Sequence, residues 1–366
     1  MRIAFITDSI RKDLTGVGVY TRGLINAFIK HRKDIDFYFL DYKKTSFNKN
    51  KLLLFDSPVF TLKKSLWINY LALISSKFNF DFIFNFTGIP HLVPFKQKEI
   101  FVVHDLHTIL HPEFTSKRTL IYNKLLLKKS LDQSYKILVN SDQTKEEIMK
   151  LFSIKEDKIF KIYIPLIKKY SKYTNEYNKK KKKLKKTFIV NIGTLDLRKN
   201  IINLIKSFEY LKEKRKIPHQ LLLIGKDGLG ASKIYNYINR SKYKKDILLK
   251  GYIQEENKFF YIRAASLCTY LSFYEGLGIP VFEAAYFYKP IICSRNVPIA
   301  SEIFFKKMFL VDPYNIKDIY NAMSKAINNY PKVWLNSCKK ICIDHLKEEY
   351  VKKKIEELYC FLNTSI

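Results

Sequence analysis

The feature that most restricts the fold of this chain is an alternation of short apolar segments with amphipathic ones. In the first half, apolar runs such as Arg2–Thr7 and Asp36–Asp41 alternate with segments of helical periodicity such as Val17–His31. The alternation restarts in the second half with Phe188–Ile192 and the helical segment Ile201–Lys212. Strands that alternate with helices form parallel sheets with helices on both faces. The sequence therefore predicts an α/β protein with two Rossmann-like, doubly wound parallel-sheet domains.

A strongly polar segment separates the two halves. It covers residues 169–186 and contains five consecutive lysines. Such a run is typical of a solvated linker, and contact with anionic lipid is the alternative. We predict an N-terminal domain over residues 1–168 and a C-terminal domain over residues 187–343. A single amphipathic helix within residues 344–366 is expected to pack back on the N-terminal domain.

The charge of the chain is unusually positive. Its 66 Lys and Arg residues against 34 Asp and Glu residues give a formal net charge of +32. One interpretation is an anionic partner, and the other is a composition rich in Lys, Ile, Asn, Tyr and Phe without functional meaning. The lysines are scattered, which argues against nucleic acid and leaves an anionic membrane surface as the partner. The basic-aromatic stretches Tyr42–Phe55 and Leu62–Phe80 are the expected contacts.

Several other classes of protein are disfavoured by the sequence. It contains no apolar span of the ~20 residues that a transmembrane helix needs. Asp8 interrupts the N-terminal segment before an apolar signal region forms. We therefore expect a cytoplasmic protein, either free in the cytoplasm or peripherally bound to the inner face of the cell membrane. Five cysteines form no CxxC pair and no metal-ligand quartet, which predicts buried or unreactive thiols and no metal site: Cys268, Cys293, Cys338, Cys342 and Cys360.

Two motifs of the first half follow predicted strands. Gly16 and Gly18 precede the first helix, where backbone amides can approach an anion, although a purely structural loop is the alternative. Thr21 stands where a dinucleotide fingerprint needs a third glycine or alanine, which argues against a dehydrogenase. His104 follows a strand at the edge where open α/β sheets bind ligands. It is expected either to donate to a substrate or to cap the strand.

Two motifs of the second half carry charge. Arg198 and Lys199 follow a strand and the Gly193–Thr194 turn and precede a helix, a pattern that suits a diphosphate. Glu275 and Glu283 flank a glycine-rich loop at the start of another helix. Both carboxylates could accept hydrogen bonds from sugar hydroxyls. Alternatively, Glu283 complements the helix dipole and Glu275 is an ordinary surface acid.

Together these segments resemble the retaining glycosyltransferases of family 4, which have the GT-B fold. The resemblance is clearest in the second half, in the segments GTLDLRKN, LLLIGKDG, YEGLGIPVFEA and KPIICS. It is looser in the first half, in TGVGVYTRGLINAF, VVHDLHTILHPEF and ILVNSDQTKEEI. The chain departs from the family at Tyr288-Lys289, where a small residue and glycine are usual, and at Phe273-Tyr274, where Pro-Ser is usual. Neither departure removes a charged position, so an active enzyme is expected.

The resemblance implies specific roles in binding a nucleotide sugar. Glu283 would accept hydrogen bonds from the ribose, and Arg198 and Lys199 would neutralise the diphosphate. Glu275, with the amides of Gly276 and Leu277, would hold the transferred sugar. In the N-terminal domain, the Gly16–Gly18 loop would approach the diphosphate and His104 would face the sugar. Further donor-binding positions would be Gly193, Thr194, Gly225 and Gly278.

The resemblance also implies a reaction. The segments TLDLRKN and HDL…HPEF are most similar to mannosyltransferases that use GDP-mannose, with UDP-glucose, UDP-galactose and UDP-N-acetylglucosamine as alternative donors. No metal or other cofactor is implied. The acceptor would be a glycan or a lipid-linked glycan in the synthesis of surface polysaccharide or glycolipid. A sugar-nucleotide epimerase and a non-enzymatic nucleic-acid-binding protein are the alternative functions.

Overall fold

The computed structural model describes residues 1–7, 16–41, 52–54, 64–163 and 186–364. The chain divides into two compact units. The N-terminal unit comprises Met1–Leu166 and His345–Ile366, and the C-terminal unit comprises Ile167–Asp344. The described residues of each unit form one parallel sheet with helices around it, which confirms the predicted fold class. The predicted linker lies outside the described residues except for Lys186, as does most of Tyr42–Phe55.

The sheet of the N-terminal unit has seven strands in the order β3-β2-β1-β4-β5-β6-β7. Their bounds are β1 Arg2–Ile6, β2 Asp36–Asp41, β3 Leu52–Leu54, β4 Phe82–Asn85, β5 Lys98–Val103, β6 Lys136–Val139 and β7 Ile159–Lys161. All six neighbouring pairs are parallel. The helices are α1 Gly16–His31, α2 Lys64–Ser75, α3 His107–Leu110, α4 Lys117–Gln133 and α5 Asp142–Phe152.

Phenylalanines fill the core between this sheet and α1. Phe5 of the inner strand β1 stacks on Phe37 at 5.5 Å between ring centroids and meets Phe84 edge to face at 5.4 Å. Phe28 of α1 is fully buried and lies 5.6 Å from Phe84. Large aromatic rings contribute much of the buried apolar area of a core. The bias of the sequence toward Phe is thus used to build this unit.

The sheet of the C-terminal unit has six strands in the order β10-β9-β8-β11-β12-β13. They are β8 Phe188–Ile192, β9 Gln220–Ile224, β10 Ile247–Leu249, β11 Leu267–Tyr270, β12 Ile291–Ser294 and β13 Phe309–Val311. Again every neighbouring pair is parallel. The helices are α6 Ile201–Arg215, α7 Ala231–Arg240, α8 Glu255–Ala264, α9 Ile279–Tyr286, α10 Pro298–Glu302, α11 Ile316–Asn328 and α12 Lys332–Leu346.

The C-terminal segment differs from the prediction of a single helix. The helix α12 ends at Leu346, and a second helix, α13 Glu348–Asn363, begins after Lys347. Lys347 has extended backbone angles, φ −60° and ψ 137°, which break the helical hydrogen-bond ladder. Apolar periodicity continues across this residue, so the pattern alone did not reveal the break.

The helix α13 packs within the N-terminal unit. Its Glu348 pairs with Lys30 of α1, and Phe361 lies 5.0 Å from the ring of Phe160. Beyond the helix, the carbonyl of Thr364 accepts a hydrogen bond of 2.9 Å from the Tyr135 hydroxyl. The end of the described chain is therefore part of the N-terminal unit. Within the described residues, no helix is both long and apolar enough to cross a membrane.

Candidate active site

Three loops meet at the carboxyl edge of the sheet in the C-terminal unit, after β8, β9 and β11. The amide of Gly193 donates to the carbonyl of Ile224 at 2.9 Å, which joins the first two loops. A Cβ atom at Gly225 would lie 1.8 Å from the Gly193 carbonyl oxygen. Only glycine allows this backbone approach. Direct backbone contact therefore holds the loops after β8 and β9 together at this edge of the sheet.

A short 3-10 turn, Leu197–Lys199, places two cations at this edge. The Asp196 carboxylate accepts from the amide of Arg198 at 2.8 Å and caps the turn. Asn200 ends it in the left-handed region, φ 58°, and its buried side chain donates to the Pro313 carbonyl at 2.6 Å. In the segment DLRKN, Asp196 therefore caps the turn and Asn200 anchors its end. Together they fix the direction of the two cationic side chains between them.

Both cations contact Glu275. The Lys199 Nζ lies 2.5 Å and the Arg198 guanidinium 3.2 Å from the same carboxylate oxygen, Oε1. Arg198 also donates to the carbonyl of Tyr274 at 2.7 Å, and the Lys199 Nζ lies 3.3 Å from the Tyr270 hydroxyl. These three charged side chains sum to one positive charge, so the cluster suits an anionic ligand.

Glu275 is only 7% exposed, and its charge state follows from its neighbours. Burial alone would raise the pKa of this carboxyl, but Lys199 and Arg198 outweigh the burial and lower the pKa to about 2. The group is ionised at any physiological pH. It can therefore accept hydrogen bonds from hydroxyl groups, and it cannot serve as a general acid.

The loop after Glu275 turns into α9 through Gly278. This residue has φ 106°, and a Cβ atom there would lie 2.5 Å from Val297 Cγ1. The carbonyl of Leu277 accepts from the amide of Ile299 at 2.9 Å. Gly276 and Leu277 are both buried. The glycine at position 278 therefore allows the buried loop to turn directly into α9 against its neighbours.

Glu283 lies inside α9 and is 2% exposed. Its Oε1 accepts from the Lys258 Nζ of α8 at 2.5 Å. Its Oε2 is buried without a hydrogen-bond partner among the residues that the structure describes. Burial raises the pKa of Glu283, the charge of Lys258 opposes that rise, and the nearby Glu255 adds to it. A buried carboxylate oxygen without a hydrogen-bond partner from the protein is costly, and it suits a hydroxyl donor.

The N-terminal unit has its own group of predicted site residues. The half-buried His104 follows β5, and its ring meets that of Tyr20 edge to face at 5.5 Å. Its Nε2 lies 2.9 Å from the Phe86 carbonyl, so Nε2 carries the hydrogen. Burial lowers the pKa of this imidazole, which favours the neutral ring with Nδ1 as an acceptor. This differs from the expectation that His104 donates to a substrate.

Gly16 and Gly18 also lie in the N-terminal unit. Gly16 is the first residue of α1, and Gly18 is buried in its first turn. The loop before them, residues 8–15, lies outside the described residues. The remaining predicted site residues lie at the carboxyl edge of the C-terminal unit: Gly193, Thr194, Arg198, Lys199, Gly225, Glu275, Gly276, Leu277, Gly278 and Glu283.

Sequence reasoning missed three contributors to the site, which are Lys258, Tyr270 and the carbonyl of Tyr274. Lys258 reads as an ordinary helical lysine, and Tyr270 as one more aromatic strand residue. No motif marks Lys258 or Tyr270, because their roles come from which elements pack beside Glu275 and Glu283, and the motif that begins with Tyr274 does not show that its carbonyl accepts from Arg198. Four of the five cysteines are buried, and the described residues contain no group of three His, Cys, Asp or Glu side chains suited to a metal ion.

Known families and structures match this architecture. The model for Glycosyl transferases group 1 covers residues 173–341, and that for Glycosyltransferase Family 4 covers residues 14–165. This chain belongs to the group 1, family 4 glycosyltransferases. The O-antigen chain mannosyltransferase B of Escherichia coli is 25% identical over 352 residues, which cover 87% of this chain and 88% of that protein. The O-antigen chain mannosyltransferase RfbU of Salmonella typhimurium is 25% identical over 250 residues, 66% of each chain.

Solved structures of glycosyltransferases share the fold. Sucrose-phosphate synthase from Thermosynechococcus elongatus superposes with a TM-score of 0.77 at 16% identity and covers 98% of both chains. Anabaena HepE in complex with UDP and glucose gives a TM-score of 0.73 at 14% identity, over 98% of this chain and 99% of that one. These likenesses show the GT-B fold, which the resemblance to family 4 implied.

Proposed function

We propose that this glycosyltransferase is a retaining mannosyltransferase that uses GDP-mannose and adds mannose to a glycan or lipid-linked glycan. The observation that carries the proposal is the cluster of half-buried Arg198 and Lys199 around buried Glu275 at the carboxyl edge of the C-terminal unit. The names of the two O-antigen mannosyltransferase relatives support the choice of mannose. Synthesis of a cell-surface polysaccharide is the proposed setting.

The nucleotide would be held by charge and by one unpartnered oxygen. Arg198 and Lys199 would neutralise the diphosphate, since a guanidinium fork and a compact ammonium suit adjacent phosphates. Glu283 would accept a ribose hydroxyl through Oε2, while Lys258 holds Oε1 and favours the ionised form. Gly193, Gly225 and the loop at Gly278 would let backbone approach the nucleotide.

In the proposed reaction, the bond between the anomeric carbon and the diphosphate oxygen breaks. The acceptor oxygen then bonds to that carbon from the face that the nucleotide leaves, so the configuration is retained. The acceptor proton passes to the departing phosphate oxygen. Glu275 would hold the sugar as a permanent acceptor, and His104 would accept from a sugar hydroxyl through Nδ1. Arg198 and Lys199 would stabilise the charge on the leaving group without a metal ion.

A panel of sugar nucleotides tests this function through thermal stabilisation, with and without chelator. We expect GDP-mannose to raise the melting temperature more than UDP-glucose, UDP-galactose or UDP-N-acetylglucosamine, and chelator to leave the shift unchanged. A preference for a UDP-sugar would overturn the donor, and loss of the shift with chelator would overturn metal independence. No response to any sugar nucleotide, together with a response to an oligonucleotide, would overturn the donor site itself.

A further inference from the structure

The N-terminal unit carries an exposed apolar surface that its sheet and core do not use. Leu125 is 72% exposed, and Ile121, one turn earlier on α4, is 58% exposed. Leu66 and Leu73 on α2 are also exposed, as is Leu92 in the loop between β4 and β5. Scattered single apolar side chains are ordinary, whereas a group of them on neighbouring elements marks an interaction site.

Hydrogen bonds show that these five side chains lie on adjoining elements. Asn69 of α2 accepts from the backbone amides of Leu92 and Val93 at 2.8 and 3.0 Å. On the other side of this loop, the Tyr122 hydroxyl of α4 donates to the Pro90 carbonyl at 2.7 Å. The loop is thus bonded to both helices. We call the exposed residues Leu66, Leu73, Leu92, Ile121 and Leu125, with the outer side of α4, the α2–α4 face.

The outer side of α4 is also basic. Helical spacing places Arg118, Lys128 and Lys129 on the same side as Ile121 and Leu125. All three cationic side chains are exposed. Asp132 shares that side and pairs with Lys128 at 2.8 Å, so it offsets one of the three positive charges. The face therefore combines projecting apolar side chains with a net positive charge.

We propose that the α2–α4 face binds an anionic lipid bilayer. Apolar side chains would enter the boundary between headgroups and acyl chains, while Arg118, Lys128 and Lys129 would contact anionic headgroups. Single-stranded nucleic acid calls for aromatic rings on which bases stack, and the exposed apolar side chains of this face are aliphatic. The inference rests on the proposed function only where it supposes a lipid-linked acceptor, because the face can bind lipid without any donor.

The location differs from the one that the sequence favoured. Tyr42–Phe55 lies mostly outside the described residues, and in the part of Leu62–Phe80 that the structure describes, the exposed large apolar residues are Leu66 and Leu73. The most exposed apolar residues of the face, Leu125 and Ile121, lie on α4, which the charge pattern alone did not single out. Their exposure became apparent only from the structure, which shows which side of α4 packs on the core and which side faces outward.

Flotation of the full chain with vesicles tests the proposal. We expect binding to vesicles of phosphatidylglycerol and phosphatidylcholine, and little binding to phosphatidylcholine alone. The double variant Ile121→Gln/Leu125→Gln should bind the anionic vesicles at least about tenfold more weakly, since each buried aliphatic side chain contributes more than 1 kcal/mol. Lys128→Gln/Lys129→Gln should weaken binding by roughly fivefold or more, at about 1 kcal/mol for each cation near the surface.

Matched variants in the C-terminal unit control for altered charge and hydropathy. Val333→Gln/Ile343→Gln removes two exposed aliphatic side chains of α12, and Lys244→Gln/Lys245→Gln removes two exposed cations. Both should bind anionic vesicles as the unaltered chain does. Thermal stabilisation by GDP should be equal in all variants, so loss of lipid binding and loss of the donor site are distinguishable.

Three results would overturn the inference. They are no binding of the unaltered chain to anionic vesicles, equal losses in the control variants, and vesicle binding that survives both α4 double variants. A fourth is tight binding of an oligonucleotide that the α4 variants abolish while vesicle binding stays unchanged. That result would assign the face to nucleic acid instead.

Discussion

The loop that carries Glu275 and the helix that carries Glu283 present two buried glutamates in contrasting surroundings. Glu275 contacts two cations through one oxygen, and its pKa falls to about 2. Glu283 contacts one cation, Lys258, and burial raises its pKa. The two groups are 7% and 2% exposed, so the number of neighbouring cations, more than burial, separates them.

This difference in charge balance and hydrogen bonding suits the two carboxylates to different binding roles. Glu275 is a fixed anion whose charge is balanced before any ligand arrives. Glu283 keeps one buried oxygen without a partner among the described residues, so a hydroxyl that donates to it would remove the cost of burying that oxygen. We therefore propose that Glu275 holds the transferred sugar and Glu283 the ribose, and five experiments can break or sharpen that comparison.

The largest effect is expected for Glu275→Gln. Without this anion, Lys199 and Arg198 lose their balancing charge and the sugar loses an acceptor. The turnover of GDP-mannose with water as acceptor should fall by roughly 100-fold or more, the scale of losing one preorganised polar contact in a transition state. Release of GDP measures the rate. Glu256→Gln, at the exposed start of α8, should keep full turnover, and an equal loss there would contradict the assignment.

Glu283→Gln should act on donor affinity more than on turnover. Replacing the ionised acceptor is expected to raise the KM for GDP-mannose about ten- to a hundredfold, since hydrogen bonds to charged groups contribute ~1.5–3 kcal/mol. The kcat should change less. A loss confined to kcat would contradict a role in ribose binding.

The same substitution gives a stability prediction whose sign follows from the raised pKa. A group whose pKa is higher in the folded protein contributes stability at low pH and loses it as pH rises. Glu283→Gln should therefore not lower the melting temperature of the empty protein at neutral pH. A clear destabilisation would show that Lys258 more than compensates for the burial of this carboxylate.

Lys258→Met should also raise the KM for GDP-mannose, but by less than Glu283→Gln does. Lys258 favours the ionised form of Glu283, so its removal should raise the pKa of Glu283 further, with Glu255 the other charged neighbour that acts on it. Donor KM should rise by about fivefold to tenfold, the value of one partly buried charged contact. The acid limb of the KM profile should move to higher pH, and Lys258→Arg should restore it. An unchanged profile would assign Lys258 a packing role only.

The smallest effect concerns pH and Glu275. Because its pKa is lowered, the stability that its ion pairs contribute is present above its ordinary pKa and is lost only as the pH falls toward about 2. The difference in melting temperature between the unaltered chain and Glu275→Gln should thus stay constant across neutral pH. A difference that changes between mildly acidic and neutral pH would contradict the account that Lys199 and Arg198 keep Glu275 ionised in this range.

Much of the fold could be predicted because the strands of a parallel sheet are continuous apolar runs. Phe188–Ile192 was predicted with its observed bounds. Three of the four three-residue strands in the described residues, Leu52–Leu54, Ile159–Lys161 and Phe309–Val311, were missed, because so short a segment shows little pattern of its own. The break at Lys347 was missed because the apolar period continues through it.

The sequence predicted those parts of the candidate site that lie in local motifs, and it did not predict the contacts between distant segments. Arg198, Lys199 and Glu275 stand next to glycines and strand ends, so their motifs mark the carboxyl edge. Their contact joins segments 76 residues apart, and only the sheet order β9-β8-β11 brings those segments together. Lys258 has no motif, and the tautomer of His104 depends on the carbonyl of Phe86, so neither could be read from the sequence.

The most direct test of the two assignments is equilibrium binding of GDP and of GDP-mannose to the two glutamine variants. We predict that Glu283→Gln weakens both ligands by the same factor, because both contain the ribose. Glu275→Gln should weaken GDP-mannose more than GDP, because only GDP-mannose contains the sugar. Equal weakening of both ligands by Glu275→Gln, or selective weakening of GDP-mannose by Glu283→Gln, would contradict the account.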